Sequence, residues 1–165
     1  MKKYISAIIS VFVLILLDQY TKILALTHLK DQDSFVIWDG VFELCYLENR
    51  GAAFGILQNQ QIFFIIMTFI VFIGIGYVYK RTPDTKKYFP LRFTIILLTA
   101  GAVGNMIDRI LRGYVVDFFY FSLIDFPIFN VADIYITVTF FLLAILLLFY
   151  YKDDELEIYS FKKKK

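Results

Sequence analysis

Residues 62–79 read IFFIIMTFIVFIGIGYVY, a stretch of 18 residues without a charged side chain. Residues 134–151 form a second uncharged stretch of the same length. Uninterrupted apolar stretches of this length are typical of helices that cross a lipid bilayer. The two stretches therefore predict a membrane protein, and the rest of the chain can be examined for further spans.

The composition of the whole chain favours the same class. Hydrophobic residues make up 59% of the 165 residues, charged residues 19%, and the mean hydropathy is +0.67. A soluble domain is about half apolar and about a quarter charged, so the composition excludes a soluble globular fold. The net charge of +2 is too small to indicate nucleic-acid binding. With one cysteine and one histidine in the chain, we expect neither a metal site nor a cofactor.

Two more apolar stretches bring the number of predicted spans to four. The first follows two lysines, as in a cleaved signal peptide, but it continues to Leu26 without a small-residue cleavage site. A helix over residues 4–26 would be about 35 Å long, which is enough to cross the bilayer. The predicted spans cover residues 4–26, 62–79, 91–109 and 131–151.

The segment between the first two spans, residues 28–61, is polar and contains two candidate strands. Phe35–Trp38 and residues 41–47 are the candidates for short strands. We therefore predict an all-α integral membrane protein in which residues 1–165 form one polytopic domain. It has four transmembrane helices and a small extracytoplasmic β-rich segment between helices 1 and 2.

The basic residues predict the orientation of the chain. Of the 17 lysines and arginines, 12 lie on the side of the two termini: two before the first span, five from the end of span two to the start of span three, and five after span four. By the positive-inside rule, both termini are cytoplasmic and the two motif-bearing loops face outward. The lysine run at residues 162–165 is interpreted as a topology signal that also contacts anionic lipid headgroups.

Polar side chains near the outer membrane boundary are candidate site residues, because an ionisable group at membrane depth costs several kcal/mol unless it has a partner. Asp18 and Lys22 are four residues apart, a spacing that also suits a purely structural ion pair. Residues 49–55 read NRGAAFG, where Asn49 supplies donors and an acceptor and Gly51 permits close backbone approach. For this segment taken alone, a turn followed by a helix start is the better explanation.

The third span carries a polar stripe. Gly101, Asn105 and Arg109 are spaced at i, i+4 and i+8, so they share one helix face. Helix packing explains the glycine. It does not explain an amide and a guanidinium on the same face, which could hold backbone carbonyls or lipid-ester oxygens of a substrate that enters from the membrane.

Asp117 and Asp133 form the remaining cluster, in the apolar segments VVDFF and FNVAD. Apolar surroundings raise a carboxyl pKa and neighbouring carboxylates resist joint ionisation, so one could hold a proton while the other activates water. Asp133 at a helix start favours the ionised base, and Asp117 between apolar neighbours favours the protonated acid. Helix capping by Asp133 is the simpler alternative. Because no serine or cysteine has an evident base partner, the aspartates are the best-equipped pair for chemistry.

Together these motifs resemble lipoprotein signal peptidase (signal peptidase II), a bacterial family of membrane aspartyl proteases. The resemblance rests on DQYTK at residues 18–22, NRGAAFG at 49–55, GNMIDR at 104–109, VVDF at 115–118 and FNVAD at 129–133. It implies an aspartic endopeptidase of the bacterial cytoplasmic membrane, with its active site near the outer face. The enzyme would remove signal peptides from prolipoproteins, cutting on the N-terminal side of a diacylglyceryl-modified cysteine.

The resemblance also implies roles for individual residues. Asp117 and Asp133 match the catalytic pair, and Asp18 and Lys22 match a supporting pair. The positions that match the substrate-binding residues are Asn49, Gly51, Asn105, Arg109, Asn130 and Ala132. The implied partners are lipid-modified prolipoproteins, membrane lipids and cyclic peptide inhibitors of the globomycin type.

Two other classes of function remain open from the residues alone. A small channel or transporter could use the charged side chains as an ion pathway, but it would distribute them through the membrane depth. A non-enzymatic assembly factor could use the glycines of the third span for helix packing. Such a factor would tolerate conservative replacement of either aspartate, which a protease would not.

Overall fold

Four long helices dominate the computed structural model, which describes residues 1–51 and 57–160. They are α1 (Lys2–His28), α2 (Gln61–Arg81), α3 (Phe89–Arg112) and α4 (Val131–Ile145), which continues as a π-helical turn (Leu146–Tyr150). Each is long and apolar enough to cross a membrane. The predicted all-α membrane fold with four transmembrane helices and a small β segment is therefore confirmed.

A small antiparallel sheet lies at one end of the helix bundle. We call this end of the molecule the sheet end. Its strands are β1 (Phe35–Trp38), β2 (Phe42–Asn49) and β3 (Val115–Tyr120), in the order β1-β2-β3. The first two form a hairpin that turns at Gly40, whose φ of +67° suits glycine. Both were predicted. The third strand was not, and it comes from the connection between α3 and α4 rather than from the segment between α1 and α2.

Helix α3 is the central helix of the bundle, and it packs against α1, α2 and α4. Its approach to the neighbouring helices depends on two glycines. A Cβ at Gly101 would lie 2.6 Å from the carbonyl oxygen of Ala132, and a Cβ at Gly104 would lie 2.5 Å from Oδ2 of Asp18. Because real Cβ atoms do not approach this closely, these positions require glycine.

The ends of α3 and α4 follow from local sequence signals. Helix α3 has a proline in its first turn and ends at Gly113, whose φ of +77° terminates the helix. Helix α4 begins with a capping box between Asn130 and Asp133, in which each side chain accepts a hydrogen bond from the other residue's backbone N–H. The start of α4 is thereby held rigidly at the sheet end.

Apolar side chains are distributed between the surface and the interior as in a membrane protein. Many apolar side chains of α1, α2 and α4 are exposed, and α2 has no buried residue at all. Small apolar clusters fill the space between the helices, with Leu97, Ala100 and Tyr135 buried between α3 and α4. At the end opposite the sheet, a short helix α5 (Asp153–Leu156) and a 3-10 turn (Glu157–Tyr159) follow α4.

Two sequence-based interpretations concern residues that lie outside the described part of the chain. They are residues 52–55 of the NRGAAFG motif and the lysine run at residues 162–165. Asn49, Arg50 and Gly51 of that motif are described.

Candidate active site

Strand β3 and the first turn of α4 bring the two aspartates to one place. Asp117 lies in β3 and is paired in register with Leu47 of β2. Asp133 is the third residue of α4. Asp117 is 1% exposed, whereas Asp133 is only partly buried, and both line the same cavity. The predicted convergence of these two side chains, 16 residues apart in the chain, is therefore present.

Asp117 is held by two asparagine side chains. Nδ2 of Asn130 donates to Oδ1 at 2.6 Å, and Nδ2 of Asn49 donates to Oδ2 at 2.8 Å. Asn49 can reach because it ends β2 opposite Val115, and Val115 and Asp117 point to the same face of β3. Burial, and after it the charge of Asp133, raise the pKa of Asp117 to about 7, although both amide bonds favour the ionised form.

Asp133 also receives one hydrogen bond on each carboxylate oxygen. Nδ2 of Asn105 donates to Oδ1 at 2.8 Å, and the backbone N–H of Asn130 donates to Oδ2 at 3.1 Å. The second bond belongs to the capping box of α4. Helix capping, the simpler explanation of Asp133, is thus present, and it aligns the carboxylate without closing it off from the cavity.

A chain of hydrogen bonds fixes the orientation of Asn105. Its Oδ1 accepts from Nζ of Lys22 at 3.0 Å and from Nδ2 of Asn130 at 3.2 Å. Because an ammonium group can only donate, Lys22 forces the amide oxygen of Asn105 toward itself. The amide nitrogen must then face Asp133.

Lys22 belongs to a buried ionic cluster between α1 and α3. Its Nζ lies 3.0 Å from Oδ2 of Asp18 and 3.0 Å from Oδ2 of Asp108, and all three side chains are fully buried. Arg112 pairs with Asp108 at 2.6 Å. The two positive and two negative charges balance, so the cluster satisfies the requirement that buried charges be paired. The predicted pair of Asp18 and Lys22 is present in a larger network.

The cluster also reaches the elements that carry the aspartates. Oδ1 of Asp18 accepts from the backbone N–H of Ala132 in the first turn of α4, at 2.9 Å. Oδ2 of Asp108 accepts from the backbone N–H of Val116, next to Asp117, at 3.1 Å. The relative positions of β3 and α4 are therefore tied to one set of buried charges.

Arg109 extends from α3 into the cavity. Its Nη2 donates to the carbonyl oxygen of Gly51 at 3.3 Å, and its guanidinium lies 4.6 Å from the centroid of the Phe64 ring. Its buried Nε has no hydrogen-bond partner among the described residues. An unpaired buried donor costs about 1–3 kcal/mol, so this nitrogen is available to an acceptor that enters the cavity.

The cavity itself has a volume of about 550 Å³ and opens between α2, α3 and α4. Its polar part is formed by Asn49, Gly51, Asn105, Arg109 and the two aspartates. The remaining wall is largely apolar, and comes from α2, α4 and the segment before α4: Thr68, Phe126, Pro127, Ile128, Phe129, Ile134, Ile136, Thr137 and Val138. A cavity of this kind can bind a molecule that is apolar along most of its length and polar at one point.

The residues predicted to bind substrate divide into two groups. Asn49, Gly51, Asn105 and Arg109 line the cavity. Asn130 and Ala132 are both 0% exposed and lie behind its wall. Asn130 bonds to both aspartates, and Ala132 bonds to Asp18 through its backbone. Among the described residues, no group of three or more histidine, cysteine, aspartate or glutamate side chains is placed to hold a metal ion.

Sequence reasoning missed Asp108 as a part of the site. The residue lies inside the GNMIDR motif, four residues before Arg112 and four after Gly104. This spacing places it on the face of α3 that approaches α1, which was the available signal.

Comparisons with known proteins agree with the geometry. The family model described as signal peptidase (SPase) II matches residues 10–149. A lipoprotein signal peptidase of Caldanaerobacter subterraneus subsp. tengcongensis is 43% identical over 144 residues, which cover 87% of this chain and 96% of that protein. A lipoprotein signal peptidase of Brevibacillus brevis is 47% identical over 126 residues, covering 76% of this chain and 83% of that one.

Two solved structures share the fold. Both are described as bacterial membrane enzymes solved by the in meso method, at 2.3 Å and 1.9 Å resolution. The first has a TM-score of 0.78 at 35% identity and covers 97% of this chain and 94% of its own. The second has a TM-score of 0.76 at 38% identity and covers 87% of this chain and 93% of its own.

Proposed function

The chain belongs to the signal peptidase II family, a family of proteases, and on that premise we propose that it is an aspartic endopeptidase. Its substrates are prolipoproteins that already carry a diacylglyceryl group on a cysteine. It cuts the peptide bond on the N-terminal side of that cysteine and so releases the signal peptide. Asp117 and Asp133 activate the attacking water.

The two carboxyl groups have different roles because their environments differ. Asp133 is partly exposed to the cavity and lies in the first turn of a helix, where a negative charge is favoured. It acts as the base and takes a proton from water while the oxygen attacks the scissile carbonyl carbon. Asp117 is buried, with a pKa raised to about 7, so it holds the proton that it donates to the carbonyl oxygen.

Collapse of the resulting tetrahedral intermediate completes the reaction. The carbonyl re-forms and returns its proton to Asp117, and Asp133 passes its proton to the departing nitrogen. That nitrogen becomes the free amino group of the lipid-modified cysteine, and the signal peptide leaves with a new carboxylate. Both aspartates recover their starting protonation, so a coupled pair suffices without another catalytic group.

The other cavity residues position either the substrate or the two aspartates. Arg109 offers an unpaired Nε–H to a backbone carbonyl near the scissile bond. Asn105 aligns Asp133, and Asn49 aligns Asp117. The apolar wall between α2 and α4 accepts the hydrophobic part of the signal peptide and the lipid. Globomycin-type cyclic peptides would inhibit by occupying the same cavity.

The site lies at the outer face of the bacterial cytoplasmic membrane, with both termini in the cytoplasm. This orientation is supported by the 12 basic residues on the side of the termini. It places the cavity where a lipid-anchored substrate can reach it laterally, and where water is available to the scissile bond.

One observation carries the proposal: two carboxyl groups line a single apolar-walled cavity, and every oxygen of the pair accepts one neutral hydrogen bond. Neither aspartate forms a salt bridge among the described residues. A pair that only stabilised the fold would be expected to be neutralised by a cation, as Asp18 and Asp108 are by Lys22.

The test of this function is cleavage of two matched peptides by the purified protein in lipid. One peptide carries a diacylglyceryl-cysteine, and the other has the same sequence with a free cysteine. We expect cleavage of the lipidated peptide alone, and mass spectrometry of the products should place the cut before the cysteine.

Two results would contradict the proposal. Equal cleavage of both peptides would show that the enzyme does not recognise the lipid. A cut at another bond would show that the substrate does not bind in the proposed position. The Asp133→Asn variant serves as the inactive control that excludes a contaminating protease.

A further inference from the structure

A second large groove lies at the opposite end of the molecule from the aspartates. It runs between the N-terminal halves of α1 and α3 and has a volume of about 640 Å³. Its floor and walls are mainly apolar, with Val13, Leu14, Phe93 and Ile96 along its length. Nothing in the proposed reaction uses this groove.

The mouth of the groove is basic. Lys2, Lys3 and Arg92 all line it, together with a single carboxylate, Asp84. Arg92 pairs with Asp84 at 3.2 Å. Lys2 and Lys3 form no ion pair with any residue in the described part of the chain. The mouth therefore retains two uncompensated positive charges.

Lys3 is held in place at this mouth. Its Nζ donates to the carbonyl oxygen of Thr82 at 2.8 Å and lies 5.0 Å from the centroid of the Tyr4 ring and 5.6 Å from that of the Tyr79 ring. None of these partners carries a negative charge. The ammonium group is thus positioned without being neutralised, as in a site that binds an anion.

The dimensions of the groove match one leaflet of a bilayer. It follows α1 from Lys2 to Leu14, which is about 18 Å at 1.5 Å per residue, and half of a hydrocarbon core is about 15 Å. The hydroxyl groups of Ser6 and Ser10 line the groove one and two turns below the lysines. At 1.5 Å per residue, Ser6 is about 6 Å below Lys2, close to the depth of the ester groups of a phospholipid whose phosphate contacts the lysines. Ser10 is about 12 Å below Lys2, beside the acyl chain.

We propose that the groove between α1 and α3 is a binding site for an anionic phospholipid of the leaflet opposite the aspartates. The phosphate lies against Lys2 and Lys3, the glycerol esters face Ser6, and one acyl chain follows the apolar wall past Ser10. The charge of the mouth and the length of the groove both select this occupant. The site is independent of the proposed protease activity.

Native mass spectrometry of the purified full chain tests this proposal, with dioleoylphosphatidylglycerol and dioleoylphosphatidylcholine as probes. Each lysine near an anionic lipid contributes about fivefold to affinity. We expect the wild type to retain one phosphatidylglycerol more tightly than phosphatidylcholine. The double variant Lys2→Gln, Lys3→Gln should bind phosphatidylglycerol about 25-fold more weakly and phosphatidylcholine as the wild type does.

The matched control removes two charges from the same end of the molecule but outside the groove. Lys80 and Lys86 are both exposed and do not line it, so the double variant Lys80→Gln, Lys86→Gln should bind as the wild type does. An equal loss in the two double variants would overturn the proposal, because the lysines would then act only as surface charge. Equal affinity of the wild type for the two lipids would overturn it as well.

A third variant tests the acyl chain separately from the headgroup. Ser10→Leu keeps both lysines and fills part of the groove, so it should weaken binding of phosphatidylglycerol, and wild-type affinity would contradict the proposed chain path. Soluble glycerol 3-phosphate should not displace the lipid. Displacement of the lipid by glycerol 3-phosphate would show that the mouth of the groove binds soluble phosphate compounds instead. Cleavage of the lipidated peptide, retained in all variants, reports that each protein is folded.

Discussion

The buried Nε of Arg109 has no hydrogen-bond partner among the described residues, so it can donate to an acceptor on a bound substrate. Arg109→Gln removes the charge and this donor. A charge-assisted hydrogen bond is worth about 1.5–3 kcal/mol, so we expect kcat/KM to fall roughly 10- to 100-fold. Steady-state kinetics on the lipidated peptide measure the loss.

The control for this variant is Arg50→Gln in the neighbouring segment. Arg50 is exposed and pairs with Glu48 at 2.9 Å, and exposed pairs contribute little. Its kcat/KM should stay near that of the wild type. If Arg109→Gln also cleaves normally, Arg109 does not position the substrate.

Cys45 and His28 should both be dispensable for catalysis. Burial raises the pKa of the Cys45 thiol, which keeps it in the poorly nucleophilic neutral form. His28 is exposed at the end of α1 and does not line the cavity of the aspartates. We expect Cys45→Ser and His28→Ala to retain nearly full rates in the peptide assay. A folded but inactive variant of either kind would reopen the question of the nucleophile.

Single residues of the site could be predicted only where the signal was local. The spacing of Asp18 and Lys22 already indicated an ion pair on one helix face. The role of Asp108 could not be read in this way, because it depends on Lys22 in α1 and on the backbone N–H of Val116 in β3. Such contacts arise from tertiary packing and have no pattern in the local sequence.

Helix α3 can approach α1 only because position 104 has no side chain. In Gly104→Ala the new Cβ would lie 2.5 Å from Oδ2 of Asp18, which must displace the buried carboxylate. Overpacking of this kind costs about 1–3 kcal/mol, so we expect a lower melting temperature in detergent and reduced cleavage. Gly74→Ala in α2 is the control, because a Cβ there meets nothing within 4 Å. Equal melting temperatures for the two variants would show that α1 and α3 are not in close contact.

The ionic cluster between α1 and α3 should respond strongly to loss of its central cation. Lys22→Met leaves Asp18 and Asp108 buried without that partner, and breaking a buried pair costs about 3–5 kcal/mol. Lys30→Met is the matched control, because Lys30 is exposed and lies 3.4 Å from Glu48. Thermal unfolding in detergent should separate the two variants clearly. A stable Lys22→Met protein would contradict the buried network.

Helices and strands could be predicted from the sequence where a segment determines its own structure. Long uncharged stretches predict transmembrane helices without reference to any other part of the chain. Strand β3 differs, because VVDFFY is almost continuously apolar, and a short apolar run does not by itself distinguish a strand from a buried helix segment. It becomes a strand by pairing with β2, where Asn49 faces Val115 across a long separation in the chain.

At the scale of the whole molecule, the buried charges gather at the sheet end. Lys22 and its two aspartate partners connect through Asn105 to Asp133 at the start of α4. A transporter would instead place ionisable groups along the full depth of the helices. The arrangement therefore disfavours an ion pathway along the helices.

The proposed catalytic roles of Asp117 and Asp133 are tested by the rate of cleavage against pH for the wild type, Asp117→Asn and Asp133→Asn. An amide keeps the size of the carboxyl group but cannot exchange a proton with water, so each variant should lose at least about 10²-fold in kcat while remaining folded. Asp31→Asn, at an exposed turn, should cleave normally.

The wild-type rate should be bell-shaped in pH. Because the folded-state pKa of Asp117 is raised to about 7, the acid loses its proton and the rate falls as the pH rises through that value. The rate also falls at low pH, where Asp133 takes up a proton and ceases to act as a base. Near-normal turnover by either asparagine variant would contradict the aspartyl mechanism, and a wild-type rate that does not fall at either end of the pH range would contradict proton sharing by the pair.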